Sequence, residues 1–227
     1  MSVLCLQGGN EFGPGCRSMD ADLLARAAGG PVVVTALAGA EGREYRTAGE
    51  NGVRHFGALG AADVTVAPDV REDREGALAA LRRARLLVLP GGSPSRLLEA
   101  LTSTPVGALL QELLDDGVVL MGSSAGAMVV CEWTVLPDRR GPKGTAVVRG
   151  LGLVPGLVVI PHWSGGSSRG EWLRAIDETV PSGVHVVGLP EESGVLVQDG
   201  ALTAVGSSPT ALVSEGRPLP LGETWQL

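Results

Sequence analysis

The 227-residue chain is long enough to bury one substantial core and short for two domains with a linker. Its 44% hydrophobic and 19% charged residues exclude a disordered chain, an aromatic share of 3% leaves the core to Val, Leu and Ala, and 34 Gly with 15 Pro imply many turns rather than a helical bundle. A formal net charge of −7 argues against nucleic acid or an anionic membrane as partner, no apolar run reaches the length of a membrane span, and three cysteines without a C-x-x-C pattern suggest reduced thiols in the cytoplasm.

The opening MSVLCLQGGNEFG lacks the basic and long apolar regions of a signal peptide. SVLCLQ (2–7) predicts a strand, a Gly-rich turn follows, and 17–28 predicts a helix. PVVVTAL (31–37) predicts a second strand, 46–59 a helix, and ADVTVAP (62–68) a strand. Asp73 can cap a helix over 74–84, and ARLLVLP (84–90) is a short apolar strand suited to a sheet covered on both faces. Helices are expected over 95–101 and 106–115, a buried strand over 117–122, and a helix start over 125–132. This alternation predicts an α/β fold with a mainly parallel sheet flanked by helices. Beyond 150 the pattern changes to the short strands LVVIPH, VHVVGLP, SGVLVQ, ALTAVG and TALVSE, with Asp199-Gly200 as a hairpin signal. The C-terminal third is therefore expected to add antiparallel strands beside the parallel sheet. With no internal repeat and no long linker, residues 1–227 read as one domain.

Gly122-Ser123-Ser124-Ala125-Gly126 lies between an apolar strand and an apolar helix start. G-x-S-x-G in that setting is a nucleophile elbow. The turn is sharp, so small residues must flank the serine, whose hydroxyl then stands above the carboxyl edge of the sheet. The N–H of Ala125, at a helix N-terminus, would face a developing oxyanion. The alternative is a Gly-rich turn that only packs or binds an anion.

Ser124 needs a base, and the chain has three histidines. His55 lies in a polar helical stretch, where a solvated or helix-packing role is expected. His185 sits inside an alternating strand and reads as a satisfied sheet histidine. His162 ends the strand LVVIP and opens a Gly/Ser-rich loop, the setting in which α/β proteins place their sites. Glu191, directly after Pro190 at another strand end, is the better carboxylate to orient His162, with Glu192 as competitor. Pro90-Gly91-Gly92-Ser93 follows a strand and precedes a helix, so the Gly92 and Ser93 amides are candidates for a second oxyanion donor. That loop is no Walker A, since no G-K-[ST] follows and Lys143, the only lysine, is elsewhere. GGNEFG (8–13) fails the dinucleotide spacing, and the dispersed His and Cys give no zinc pattern, so neither metal nor cofactor is expected.

MGSSAGAMVV (121–130), GLGLVPGLVVIPHW (150–163) and VGLPEESGVLVQDGALTAVG (187–206), with their spacing, resemble the dipeptidase E and cyanophycinase family of serine peptidases. The resemblance implies a fold like class I glutamine amidotransferases and a Ser–His–Glu triad, here Ser124, His162 and Glu191. It also implies cofactor-free peptide hydrolysis through an acyl-enzyme. PHW after one strand and LPE before a hairpin look more like the dipeptidase E branch, which releases N-terminal aspartate from short peptides. Arg169 matches an arginine of that branch and could grip an acidic side chain bidentately; a solvated loop arginine is the competing reading. Two departures fall where the substrate would be read. Ser93-Pro94 stand where the family usually carries Asn or Asp-Gln, and the loop after His162 is shorter, with Trp172 in place of a basic residue.

The sequence thus predicts a cytoplasmic serine exopeptidase acting on short peptides. Its catalytic residues are Ser124, His162 and Glu191, and the amides of Gly92 and Ala125 hold the oxyanion. Ser93, Trp163 and Arg169 are the substrate-binding candidates, and the resemblance allows a homodimer. The competing readings are a carboxypeptidase-like enzyme, a cyanophycinase-like isopeptidase, and a non-catalytic protein that binds small ligands on the same fold.

Overall fold

Short runs of Val and Leu, buried along their whole length, form the middle of a sheet covered on both faces. The computed structural model describes residues 2–137 and 144–227, and Lys143 lies outside them. The first half consists of β1 (Val3–Gln7), α1 (Arg17–Arg26), β2 (Val32–Val34), α2 (Arg43–Ala58), β3 (Val64–Val66), α3 (Arg74–Arg82), β4 (Leu86–Leu89), α4 (Pro94–Ser103), α5 (Val106–Asp115), β5 (Val119–Ser123) and α6 (Ala125–Val130). The antiparallel pair β6 (Trp133–Pro137) and β7 (Thr145–Arg149) follows, then β8 (Leu157–Pro161), α7 (Gly170–Thr179) and β9 (His185–Leu189). Five strands complete the described chain: β10 (Ser193–Gln198), β11 (Ala201–Gly206), β12 (Thr210–Leu212), β13 (Arg217–Leu219) and β14 (Thr224–Gln226).

The large sheet has the order β14-β11-β10-β1-β5-β4-β2-β3. From β1 to β3 its strands run parallel, and β10, β11 and β14 extend it antiparallel. The α/β class with a mainly parallel sheet and antiparallel C-terminal strands is therefore observed. Asp199 and Gly200 join β10 to β11 with φ of 51° and 75°, the paired positive values of a type I′ turn. Two strands depart from the expected pattern. β8 and β9 pair parallel with each other, in a separate sheet of order β13-β12-β9-β8. The physical reason is α7, which supplies the crossover a parallel pair requires.

Alternation along the strands sends Leu4, Leu6, Val33, Leu87, Leu89 and Leu120 into one core. Cys5, Val32, Val34, Leu86, Val88 and Met121 enter another, closed by Met19 and Leu23 of α1 and Phe56 of α2. Within that second layer Asp20 is fully buried and takes two hydrogen bonds, from Gln7 Nε2 at 2.6 Å and with His55 Nε2 at 2.7 Å. His55 is thus a helix-packing histidine and not a solvated one. His185 is a strand histidine, its ring 4.6 Å from that of Trp225. Among the described residues no helix is long and apolar enough to cross a membrane.

Candidate active site

The carboxyl ends of β1, β4, β5, β8 and β9 carry the loops that meet at Ser124. Ser124 occupies the turn between β5 and α6 with φ 48° and ψ −107°, a conformation a non-glycine residue adopts only under constraint. Both flanking glycines are sterically required. A Cβ on Gly122 would lie 2.7 Å from the Gly126 backbone, and one on Gly126 would lie 2.2 Å from the Leu89 carbonyl oxygen. The elbow raises Ser124 Oγ to 3.0 Å from His162 Nε2. His162 follows β8, and its N–H donates to the Gly8 carbonyl at 2.8 Å. Its Nδ1 lies 2.9 Å from Glu191 Oε1, just beyond β9. Both side chains are open to solvent, at 40% exposure for His162 and 57% for Glu191.

Glu192, the competing carboxylate, faces elsewhere. Its Oε1 accepts a hydrogen bond from Asn10 Nδ2 at 3.0 Å, and its backbone N–H donates to the Gly9 carbonyl at the same distance. Among the described residues the N–H groups of Gly92 and Ala125 have no hydrogen-bond partner. Gly92 has φ +143° and packs on Ala38, where a Cβ would come within 2.7 Å of the carbonyl oxygen. The Ser93 amide is already spent on that carbonyl at 2.9 Å, and its hydroxyl caps α4 by accepting the Arg96 N–H at 3.3 Å. Of the two amides read as donors in this loop, only that of Gly92 remains free.

Arg169 sits beneath His162. Its Nη2 donates to the carbonyls of Pro161 and His162, each at 3.3 Å, its guanidinium lies 5.0 Å from the Trp172 ring centre, and its buried Nε has no partner. Trp163 is half-buried over Gly188, where a Cβ would lie 2.3 Å from the indole, and its backbone N–H donates to the Leu189 carbonyl. Its ring packs on β9. Among the described residues no group of three or more His, Cys, Asp or Glu is placed to hold a metal ion.

The loop after β1 also belongs to this site, although its sequence suggested only a failed dinucleotide motif. A Cβ on Gly9 would lie 2.2 Å from His162 Cε1, so the glycine makes room for the imidazole. Glu11 accepts the Gly91 N–H at 2.7 Å and the Ser123 hydroxyl at 3.1 Å. The available signal was position: a Gly-Gly pair directly after a strand, in the same strand-end setting as the other loops. A serine hydroxyl on an imidazole that rests on a carboxylate is an arrangement able to generate a nucleophile.

A sequence profile of peptidase family S51 matches residues 37–205. The chain belongs to peptidase family S51. This S51 peptidase matches no curated protein in sequence. Its fold is shared by a peptidase from an acI-B1 Actinobacterium, with a TM-score of 0.79 at 21% identity over 100% of this chain and 97% of that one. It is also shared by a putative peptidase E protein from Listeria monocytogenes EGD-e, with a TM-score of 0.68 at 18% identity over 92% of this chain and 100% of that one. These likenesses concern the S51 fold; the assignment as a peptidase comes from the family.

Proposed function

We propose that this S51 peptidase is a cytoplasmic serine exopeptidase that hydrolyses short peptides through an acyl-enzyme. The observation that carries the reading is the chain of hydrogen bonds from Ser124 Oγ through His162 to Glu191. Ser124 attacks the peptide carbonyl while His162 Nε2 takes its proton and then delivers it to the leaving amine. Glu191 accepts the Nδ1–H, which fixes the tautomer and stabilises the imidazolium. The free N–H groups of Gly92 and Ala125 receive the oxyanion, and one such donor contributes about 3 kcal/mol of barrier reduction. Water, activated by the same imidazole, releases the acyl group.

The dipeptidase E resemblance makes peptides with N-terminal aspartate the first substrates to test. Arg169, held beside His162 with its Nε unpartnered, is the cation that would read the acidic side chain. The three described cysteines are free and buried, which suits a reducing compartment.

The test is hydrolysis of a dipeptide and tripeptide library followed by mass spectrometry, with Ser124→Ala and fluorophosphonate labelling alongside. The wild type should cleave, be labelled at Ser124, and lose at least ~10³-fold in kcat on Ser124→Ala. An undiminished Ser124→Ala rate would end the serine mechanism. A wild type that neither cleaves nor labels would favour a binding protein on this fold.

A further inference from the structure

The loop after β1 places a carboxylate beside the oxyanion loop that the proposed mechanism does not use. Glu11 Oε1 accepts the N–H of Gly91, the residue before the oxyanion donor Gly92. Its Oε2 accepts the hydroxyl of Ser123, the residue before Ser124. A methyl group placed on Gly91 would lie 3.0 Å from Glu11 Oε1 and 3.1 Å from Ser124 Cβ, so the carboxylate borders the reacting centre directly. Both donors are neutral, and among the described residues no cation pairs with Glu11. Glu11 is half-buried, and on the side away from Ser124 it lines a cleft of about 450 Å³ with Asn51, Arg54 and His55.

An unneutralised carboxylate here opposes formation of the oxyanion, since like charges repel strongly where water is partly excluded. A cation delivered by the substrate removes that conflict. When the first residue of a peptide supplies the attacked carbonyl, its α-nitrogen is two bonds from the carbonyl carbon, about 2.5 Å away. Binding of that carbonyl between Gly92 and Ala125 therefore brings the ammonium to the neighbourhood of Gly91. From this juxtaposition we propose that Glu11 is the acceptor for the free α-ammonium group of the substrate, and that it restricts cleavage to the N-terminal end of short peptides. The proposal rests on the exopeptidase reading above and names the group that sets its polarity. Blocking the amine leaves Glu11 uncompensated beside the developing negative charge, which disfavours both binding and turnover.

The test compares Asp-Leu and Ala-Leu with their N-acetylated forms, on the wild type and on Glu11→Gln. The amide of Gln can still accept the Gly91 N–H, so the clasp between the two loops is kept while the charge is lost. The wild type should favour the free amine by ~10- to 100-fold in kcat/KM, the range expected for a charge-assisted hydrogen bond. In Glu11→Gln that preference should fall to within about threefold. The preference is a ratio within each variant, so a general loss of activity cancels. The same four peptides are titrated calorimetrically into Ser124→Ala and Ser124→Ala/Glu11→Gln, which reads amine recognition without turnover. A preference that survives in Glu11→Gln, or its absence from both the wild-type kinetics and the Ser124→Ala titrations, overturns the proposal. Failure of the hydrolase reading is seen separately, as no cleavage and no fluorophosphonate labelling of Ser124 while the calorimetric preference stands.

Discussion

At His162 two adjacent glutamates compete for one ring nitrogen, and backbone geometry separates them. Glu191 continues outward from β9 and reaches Nδ1 at 2.9 Å, whereas Glu192 has φ 54° and turns its side chain to Asn10. Glu191→Gln should therefore lower kcat by ~10²-fold or more, because an amide can present its NH2 to Nδ1 and favour the wrong tautomer. Glu192→Gln should lose less than about tenfold and act mainly on stability, through its contact with Asn10. Steady-state kinetics with melting curves of both variants check this, and equal losses of kcat would contradict it. That Ser124, His162 and Glu191 would meet was legible in the sequence, because each closely follows a strand and belongs to a chemically reactive type. Glu11 was not, since it meets Gly91 and Ser123 across 80 and 112 positions of chain, and a lone glutamate in a Gly-rich turn carries no periodic signal. Ser93 was only half legible: its place in the loop could be read, but not that Ala38 would take its amide.

Among the elements, those with a strong apolar period were read most closely. The helix expected over 106–115 is α5, Val106–Asp115. β2 is shorter than the 31–37 run, spanning Val32–Val34, because the chain turns away to bring Ala38 under the Gly92 loop. β6, β7 and α7 went unread. α7 begins on a glycine and carries charges among its few apolar residues, and β7 is only partly buried along its length. The β6–β7 pair is tied to the sheets by Glu132, whose Oε2 accepts the Gly156 N–H at 2.6 Å while its Oε1 pairs with Arg149. The Gly156 N–H first, and then the Arg149 guanidinium, hold this carboxyl below the usual carboxylate range. A folded-state pKa below the unfolded one gives stability that is present above the unfolded value, near 4.5, and lost as pH falls through the folded value. The difference in Tm between wild type and Glu132→Gln should therefore be full near about pH 7 and close toward zero below the ordinary carboxylate range. Calorimetry across that range measures it, and a difference independent of pH would assign the stabilisation to packing instead of charge.

At the scale of the whole molecule, strand–helix alternation made the class of fold legible. The second sheet was hidden, because sequence alone does not say which strand β8 chooses as neighbour. The chain read as a single domain, and that reading makes a test of cooperativity. Its two cores lie on opposite faces of the large sheet, with Cys5 and Cys16 in one and Cys131 in the other. Burial pushes the Cys5 and Cys131 thiols far above their ordinary value, and burial followed by the nearby Asp20 raises Cys16 to about 12. Only the thiolate is a strong nucleophile, so all three should resist iodoacetamide in the folded state near neutral pH. Alkylation then requires opening, and its dependence on denaturant measures the free energy of the opening that exposes each thiol. The cores share β1, β5, β4 and β2 as a common wall, since alternate residues of the same strands enter each. Loosening one face therefore strips packing from the strands that support the other. The three cysteines should be alkylated along a single denaturant curve, read residue by residue by mass spectrometry. Earlier reaction of Cys131 would mean that the core holding β8 and β9 opens as a separate unit, and would divide the chain where the sequence reads one domain.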